Sequence, residues 1–411
     1  MSIKKITLAT SKLPNLKKVF RSIQSHGCIS RREIQADTAL SWGATSQFVN
    51  MLIETEIAIQ TKLEPSTSGK LAAEVELNPG RNLLIGLDIT SHYICGVLTN
   101  LRGDELLFRS IPITDPAHMI YSLMSAIREL LEHVTKNDHV LAIGVSIPGN
   151  VDFENGILLQ SVFSSKWKDI NLREILEHEF GIPAIIRKDC ECALTAEYYL
   201  GNIENLSSKS TILISLNYGV GMAFRHKGKI YRSFAHHENE LGHITAVPGG
   251  TICNCGKRGC LEMYASKLGI TRQFEESVKN GASTLADISS PNAFTYHTVR
   301  SCALEGDPLC ISLFQQCGRL LGNTCANLST LLEPEIIIIY GGLVNDKELW
   351  TDVFEETYYS NVFPMNQTQL IYSSLKVNAP SLGAAFCAQE SILDDFLRQA
   401  LLSYTESHKK E

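Results

Sequence analysis

One histidine and three cysteines fall within eighteen residues of this chain, in Glu240-Leu241-Gly242-His243 and then Cys253-Asn254-Cys255-Gly256-Lys257-Arg258-Gly259-Cys260-Leu261-Glu262. His243, Cys253, Cys255 and Cys260 are the ligand set of a closed tetrahedral Zn2+ site. Gly256 and Gly259 permit the tight turns that such short ligand spacing needs. Four protein ligands leave no open coordination position, so the zinc is expected to be structural, not catalytic. The alternative, three unrelated cysteines beside a histidine, has the compact C-x-C-G-x-x-G-C spacing against it. Glu240 and Glu262 flank the motif, so the metal is expected to fix a loop that aims carboxylates at a ligand.

Other residues with chemical potential sit where strands give way to turns or helices. Asp189 follows the apolar run Pro183-Ala184-Ile185-Ile186 and precedes a helix. Open α/β sheets bind ligands at such strand ends. There Asp189 either takes a proton from a substrate hydroxyl, hydrogen-bonds it, or serves only as a helix N-cap. Asn217-Tyr218-Gly219-Val220-Gly221 is either a hairpin whose backbone N–H groups approach a phosphate or an ordinary tight turn. Gly341-Gly342 either passes under a nucleotide base or simply ends a strand. Gly144-Val145-Ser146-Ile147-Pro148-Gly149 is likewise a strand and a turn that can lie beside a ligand.

These residues need elements to hold them. A chain of 411 residues, 44% hydrophobic and 20% charged, reads as an ordinary globular protein of two or three domains. No stretch reaches the roughly 18 apolar residues of a membrane span, and no secretory signal is read, so membrane insertion is not expected and a cytoplasmic location is. Of the twelve cysteines, the nine outside the zinc motif are expected to be mostly small buried apolar residues. From Leu83 onward, apolar strands alternate with amphipathic helices, which predicts an α/β body. Strands are expected at 83–89, 93–99, 105–110, 140–146, 183–187, 210–215, 221–225 and 335–340. Helices are expected near 115–134, 171–179, 190–200, 261–279, 309–331 and 382–403.

The first eighty residues read differently. Apolar spacing predicts a helix over 14–26, closed by Gly27. Ser30 with Glu33 forms a capping box for a second helix ending near Thr38, and Ser41 caps a third, from about Gly43 to Glu54. Ile57-Ala58-Ile59, a turn at 65–69 and the alternating run Leu71–Leu77 then suggest a β-hairpin. This is the order of a winged helix-turn-helix. Residues 1–62 carry nine Lys/Arg against four acids, net +5, so with –7 overall the remainder carries –12. A basic head on an acidic body suggests a head that meets a polyanion, and the winged helix-turn-helix makes double-stranded DNA the expected partner. Thr45, Ser46, Gln47 and Asn50 are the candidate base contacts, with an A/T-leaning readout. Lys17, Lys18, Arg21, Arg31 and Arg32 are candidate phosphate contacts. The rival reading is a small protein-interaction domain with a solvated basic face.

Together these pieces resemble the ROK family, the bacterial repressors, open reading frames and sugar kinases of the actin/hexokinase-like fold. The resemblance runs from the helical head through Gly144-x-x-x-Pro148-Gly149-x-Val151-Asp152, Asp189, Glu240-x-Gly242-His243 and the cysteine motif to Ser381-Leu382-Gly383-Ala384-Ala385. The head-plus-body layout is similar to the repressor branch. It implies an N-terminal winged helix-turn-helix domain over 1–80 and a two-lobed, ribonuclease H-like ATPase body. The first lobe spans 81–200, completed by a C-terminal helix at 382–411. The second spans 201–381, with the zinc loop and a dimerisation surface.

The resemblance also implies a sugar pocket of Gly149, Lys188, Asp189, Glu240, His243 and Glu262. Asp189 matches the kinases' catalytic base, and Glu240 and Glu262 match carboxylates that hold sugar hydroxyls. His243 matches a residue that binds zinc through one ring nitrogen and faces the sugar with the other. The nucleotide elements depart from the kinase pattern. Asp88-Ile89-Thr90-Ser91-His92 lacks both glycines of the first phosphate loop, and Tyr218 replaces a small hydroxyl residue in the second. Lys188 and Glu191 stand where the kinases have asparagines. Asp88, Thr90, Gly219, Gly221, Gly341 and Gly342 therefore read as vestigial nucleotide loops, and kinase activity is expected to be lost or residual. Lys188 either favours an anionic sugar or makes an outward ion pair. The expectation is a homo-oligomeric, sugar-responsive repressor that senses a sugar or sugar phosphate. An active sugar kinase with an appended head and a body that binds a protein partner are the alternatives.

Overall fold

The computed structural model describes residues 3–61, 64–65, 71–113, 118–162, 167–203, 206–233, 239–376 and 378–408. By packing, the chain divides into two units, Met1–Leu200 with Lys376–Glu411, and Gly201–Leu375.

The head comprises α1 (Ile3–His26), β1 (Cys28–Ser30), α2 (Arg31–Thr38), α3 (Trp42–Glu54), β2 (Ala58–Gln60), β3 (Glu64–Pro65), β4 (Leu71–Ala72) and β5 (Glu74–Leu77). β5 lies between β1 and β2, antiparallel to both. The capping box forms as expected: Ser30 Oγ accepts from Glu33 N at 3.3 Å, and Glu33 Oε2 accepts from Ser30 N at 2.9 Å. Ser41 caps α3 by accepting from Ala44 N. α1 starts well before the predicted 14–26 and runs through Pro14. Proline reads as a helix boundary in a sequence, and the stretch before it has no clean apolar period. Apart from Pro65, the turn expected at 65–69 lies outside the described residues.

The first lobe follows with β6 (Asn82–Ile89), β7 (Tyr93–Asn100), β8 (Glu105–Pro112), α4 (Met119–Leu131), β9 (His139–Ile147), β10 (Gly149–Asp152), β11 (Ile157–Ser161), β12 (Lys168–Asn171), α5 (Leu172–Phe180), β13 (Ala184–Lys188) and α6 (Asp189–Leu200). Five strands make one sheet in the order β13-β9-β6-β7-β8, and β10, β11 and β12 make a second. That small sheet escapes the sequence reading because its strands are short, at four or five residues, and two of them, Gly149–Asp152 and Lys168–Asn171, are largely polar.

The second unit holds β14 (Thr211–Leu216), β15 (Val220–His226), β16 (Lys229–Ile230), α7 (Glu262–Ala265), α8 (Lys267–Lys279), α9 (Tyr296–Leu304), α10 (Pro308–Leu332), β17 (Ile336–Tyr340), α11 (Thr351–Asn361) and β18 (Gln369–Tyr372). Its sheet runs β16-β15-β14-β17-β18, with β14, β17 and β18 parallel. The helix expected over 261–279 is broken at Ser266, which is extended (φ –127°, ψ 163°). Its hydroxyl donates to Glu262 O at 2.7 Å and accepts from Gly269 N at 2.9 Å, so it ends α7 and caps α8. The helices at Tyr296–Leu304 and Thr351–Asn361 were not expected. Aromatic and polar residues blur their apolar periodicity, and α11 is held by packing on α10.

The last element, α12 (Ala379–Ser407), belongs to the first unit. Its first turns lie directly on the sheet. A Cβ at Gly86 would stand 1.9 Å from Ser381 O, and one at Gly144 1.9 Å from Ala384 O. Gly86 and Gly144 are register partners on β6 and β9, so two glycines make a trough for one helix. Further along, Leu393, Leu397, Ala400 and Leu401 join one apolar cluster with Phe20, Ile34, Phe48, Leu52 and Val75 of the head. The joint at Pro79-Gly80 is braced as well: Asn100 Nδ2 donates to Pro79 O at 3.0 Å, and Arg102 pairs with Glu76 at 2.6 Å. The head thus shares its core with the C-terminal helix. No described helix is long and apolar enough to cross a membrane.

Candidate functional site

In the first unit, β6, β9 and β13 are parallel, and their carboxyl ends gather the residues singled out there. Asp88 on β6 is the register partner of Ser146 on β9, whose hydroxyl donates to its carboxylate in a short bond. Gly149 opens β10 just past the end of β9. At φ +139°, and with the place of a Cβ 2.3 Å from Gln160 O, it must be glycine for strand pairing alone. Lys188 ends β13, and half-buried Asp189 begins α6, where it accepts from the Cys190 thiol at 3.5 Å. Asp189 is therefore in the first helical turn, not at an N-cap, where the helix N-terminus favours its charge.

Burial raises the Asp88 pKa to about 7, against the lowering effect of the Ser146 hydroxyl and with a further push from the Asp189 carboxylate. An unfolded aspartate titrates near pH ~3.9, so the folded state holds a proton that the unfolded chain releases in between. Stability then falls as pH rises from about 4 to about 7 and stays low above that. Asp88→Asn removes this cost. Its Tm should exceed the parent's by about 5 °C at pH 8, with the gap closing toward pH ~4. A gap that is constant with pH in thermal-melt series would show that Asp88 stays ionised in the fold.

The hairpin after Asp88 closes on itself. Thr90 N donates to Tyr93 O at 2.9 Å, and Thr90 Oγ1 accepts from Tyr93 N at 3.0 Å and His92 N at 3.4 Å. Three amides of the turn are thereby spent internally.

In the second unit, the four expected metal ligands converge. The His243 nitrogen and the three sulfurs all lie within 4.8 Å of one another. Cys255 Sγ is 3.6 Å from Cys260 Sγ, and Cys253 Sγ is 3.7 Å from His243 Nδ1. A tetrahedral ion with metal–sulfur bonds of about 2.3 Å sets its sulfurs roughly 3.8 Å apart, so the cluster fits a metal ion. With Nδ1 turned to the cysteines, Nε2 is the nitrogen left for another partner. Lys257 Nζ donates to His243 O at 2.8 Å, tying the two ends of the loop. A second group, Cys302, Asp307 and Cys310, is also close together. Asp307 there accepts from Thr284, Leu285 N, Leu309 N and Cys310 N, which accounts for it as the N-cap of α10.

The metal loop packs on the Gly-rich hairpin. Gly242, between Glu240 and His243, would place a Cβ 2.5 Å from Val220 O. Glu262 Oε2 accepts from Val220 N at 3.2 Å and stands 2.5 Å from the place of a Cβ on Gly219. Glu240 is exposed at the start of the short 3-10 turn Leu241–His243. Gly221 lies within β15, paired with Ser215. Gly342 N donates to Asn217 Oδ1 at 2.7 Å, which joins the Gly341-Gly342 turn to the same hairpin. Lys267 was missed in the sequence. Its ammonium lies against Gly342 and 4.9 Å from the Tyr296 ring, and burial lowers its pKa. Nothing in the local sequence pairs residue 267 with residue 342.

The head requires corrections. Thr45 is fully buried, with Oγ1 donating to Ser41 O, so it contacts no base. It falls on the apolar stripe with Phe48, Val49 and Leu52. Lys17 pairs with Asp394 of α12 at 2.6 Å, and Arg21 bonds Gln24 and Tyr199. Both tie the head to the body, Lys17 through an exposed ion pair. Ser46 is half-buried and Asn50 exposed, while Gln47 is exposed but lines a cavity of about 190 Å³ with Met51, Leu401 and Tyr404. Arg32 is exposed and Arg31 half-buried at the start of α2. Trp42, exposed at the start of α3, was passed over because the helix was expected to begin at Gly43.

Comparison with known proteins agrees with this anatomy. The chain is 25% identical over 385 residues to the xylose repressor of Bacillus spizizenii, spanning 92% of this chain and 96% of that one. It is 25% identical over 390 residues to the DNA-binding transcriptional dual regulator NagC of Escherichia coli, spanning 93% and 94%. The crystal structure of a ROK family transcriptional regulator, a homolog of the E. coli MLC protein, superposes with a TM-score of 0.80 at 25% identity. That match covers 95% of this chain and 99% of the other. A ROK family glucokinase from Streptomyces griseus, solved with glucose and AMPPNP, gives 0.64 at 25% identity, over 75% of this chain and 99% of its own. The model of the ROK family matches residues 84–391. With the winged head in front of that body, the chain belongs to the ROK family, on its repressor-type branch.

Proposed function

We propose that this protein is a sugar-responsive transcriptional repressor of carbohydrate uptake or catabolism genes, whose kinase-like body senses a sugar or sugar phosphate without phosphorylating it. The observation that carries the reading is the first hairpin, where the amides of Thr90, His92 and Tyr93 are turned inward. Phosphoryl transfer needs the nucleotide phosphates held and oriented, and these amides are already engaged. The second hairpin is similarly occupied by the Glu262 carboxylate on Val220 N. Supporting this, the regulator structure covers 95% of this chain, while the glucokinase covers 75%.

In this reading, Glu240 and His243 Nε2 of the second unit meet sugar hydroxyls, and Zn2+ in the Cys3His cluster is structural. The body dimerises and sets two heads on a pseudo-palindromic operator. The ligand changes DNA affinity only by binding one DNA-related state better than the other.

Calorimetry on metal-loaded protein tests it, with a panel of pentoses, hexoses, N-acetylhexosamines and hexose phosphates, with and without Mg-ATP. One sugar should bind without ATP, and no ADP should form. The half-buried Asp189 favours a rival, an active sugar kinase with an appended head. ATP-dependent phosphorylation of a sugar, abolished by Asp189→Asn, would establish it and overturn the sensor reading. A panel without heat from any sugar would point to a protein effector.

A further inference from the structure

We infer that Trp42 is a specificity-determining contact of the DNA head, its indole face laid against the 5-methyl group of a thymine in the major groove. The inference rests on the DNA-binding reading above and adds a residue to it.

Trp42 is 51% exposed, whereas Trp167 and Trp350 are 5% and 1% exposed. The ring stands at the start of a capped helix in the DNA-binding head, with part of its apolar face open to a partner. Trp42, Ser46 and Asn50 are spaced four apart, so they form one strip along α3. Thr45, Phe48, Val49, Met51 and Leu52 form the buried side, and Trp42, with Val49 seven residues on, sits at its edge next to the exposed Asn50 side. In helix-turn-helix proteins the first residues of this helix reach the base edges. The approach is open there, because a Cβ at Gly43 would meet nothing within 4 Å.

The composition of α3 selects the chemistry. Trp42–Glu54 contains no lysine or arginine, so this helix lacks the bidentate donors that read guanine O6 and N7. Asn50 suits adenine, and an apolar surface suits the thymine methyl; both lie in A·T pairs. Phosphate contacts fall to Arg31 and Arg32 on α2, the neighbouring helix.

The test uses the full-length protein. Wild-type protein selects a binding site from random duplexes, and each thymine of that site is then replaced by uracil, which removes only the methyl. Wild-type affinity should drop about fourfold at one position, the worth of one buried methyl-sized group. Trp42→Ala should bind the parent site more weakly and be indifferent to that uracil, with an unchanged melting temperature. Trp42→Phe should recover part of the affinity. Because the other two tryptophans are buried, acrylamide quenching reports on Trp42, and the selected duplex should shield it.

If Trp42→Ala binds with wild-type affinity and responds to every uracil as wild type does, the inference is overturned while DNA binding stands. Unshielded fluorescence in the complex would overturn it too. If wild-type protein enriches no sequence, the DNA-binding reading fails and takes this inference with it.

Discussion

Removing the metal from the Cys3His cluster, or replacing Cys260 by serine, should lower the Tm of the second unit by about 10 °C or more and free the segment 244–261 to exchange its amides. Cys260 is fully buried, and its neighbours Leu261 and Met263 are core residues. The segment has few regular elements. It is held by scattered bonds such as Ala246 N to Gly259 O at 2.8 Å and Cys253 N to Lys257 O at 2.8 Å. Such a loop is poorly placed to repay its own conformational entropy, so on the structural-metal reading a bound ion would supply the closure. Structural zinc contributes roughly 10–16 kcal/mol of apparent binding energy in small zinc domains. Here the rest of the unit stays folded, so only a fraction of that, about 3–5 kcal/mol, should appear as lost stability, consistent with the shift at about 2–4 °C per kcal/mol.

The consequence reaches beyond the loop. Glu262 leaves the motif on α7 and bonds Val220 N, and the Glu240–His243 turn packs on the same hairpin through Gly242. Metal loss should therefore also weaken any ligand held by Glu240, His243 and Glu262. Hydrogen exchange with and without a chelator, alongside metal analysis, measures it. Unchanged protection over 244–261 in metal-free protein would rule out a structural role for the ion.

The second large effect is expected from Leu397→Asp. Leu397 is fully buried in the apolar cluster that α12 shares with α1, α2 and α3. Placing an unpaired carboxylate there costs about 4–5 kcal/mol or more, which is of the order of the stability of a small head. The head should unfold and DNA binding should be lost, by more than about 100-fold. The second unit has its own core and should melt as before. Ser403→Asp, exposed and further along the same helix, is the control and should change neither. DNA titration and limited proteolysis of residues 13–58 read the result. If Leu397→Asp leaves the head protease-resistant, the shared core is not what holds it.

This dependence of the head on the chain's other end explains why part of the head was misread from sequence. Lys17 and Arg21 look like phosphate contacts when only a basic face is visible. Their partners, Asp394 and Tyr199, are 377 and 178 residues away. Thr45 differs: it shares the i, i+3, i+4, i+7 stripe of Phe48, Val49 and Leu52 wherever the helix starts, so its burial was readable from spacing.

The sequence by itself determined what rests on local chemistry. The metal cluster was legible because thiol and imidazole spacing within one loop limits where the ligands can go. The strand from Ile336 to Tyr340 was legible because a short β-branched run bounded by Pro334 and Gly341-Gly342 favours a buried strand over a helix. The capping box at Ser30 and Glu33 was legible because both partners lie within one helical turn. Tertiary structure decided whatever depends on a partner distant in the chain. Whether the Thr90 hairpin has free amides depends on how its tip closes. Where Lys267 points depends on the Gly341-Gly342 turn, and α12 serves body and head together because one apolar cluster joins them. A sequence records each residue's capacity for a contact, but burial and pairing energies arise only between surfaces that folding brings together.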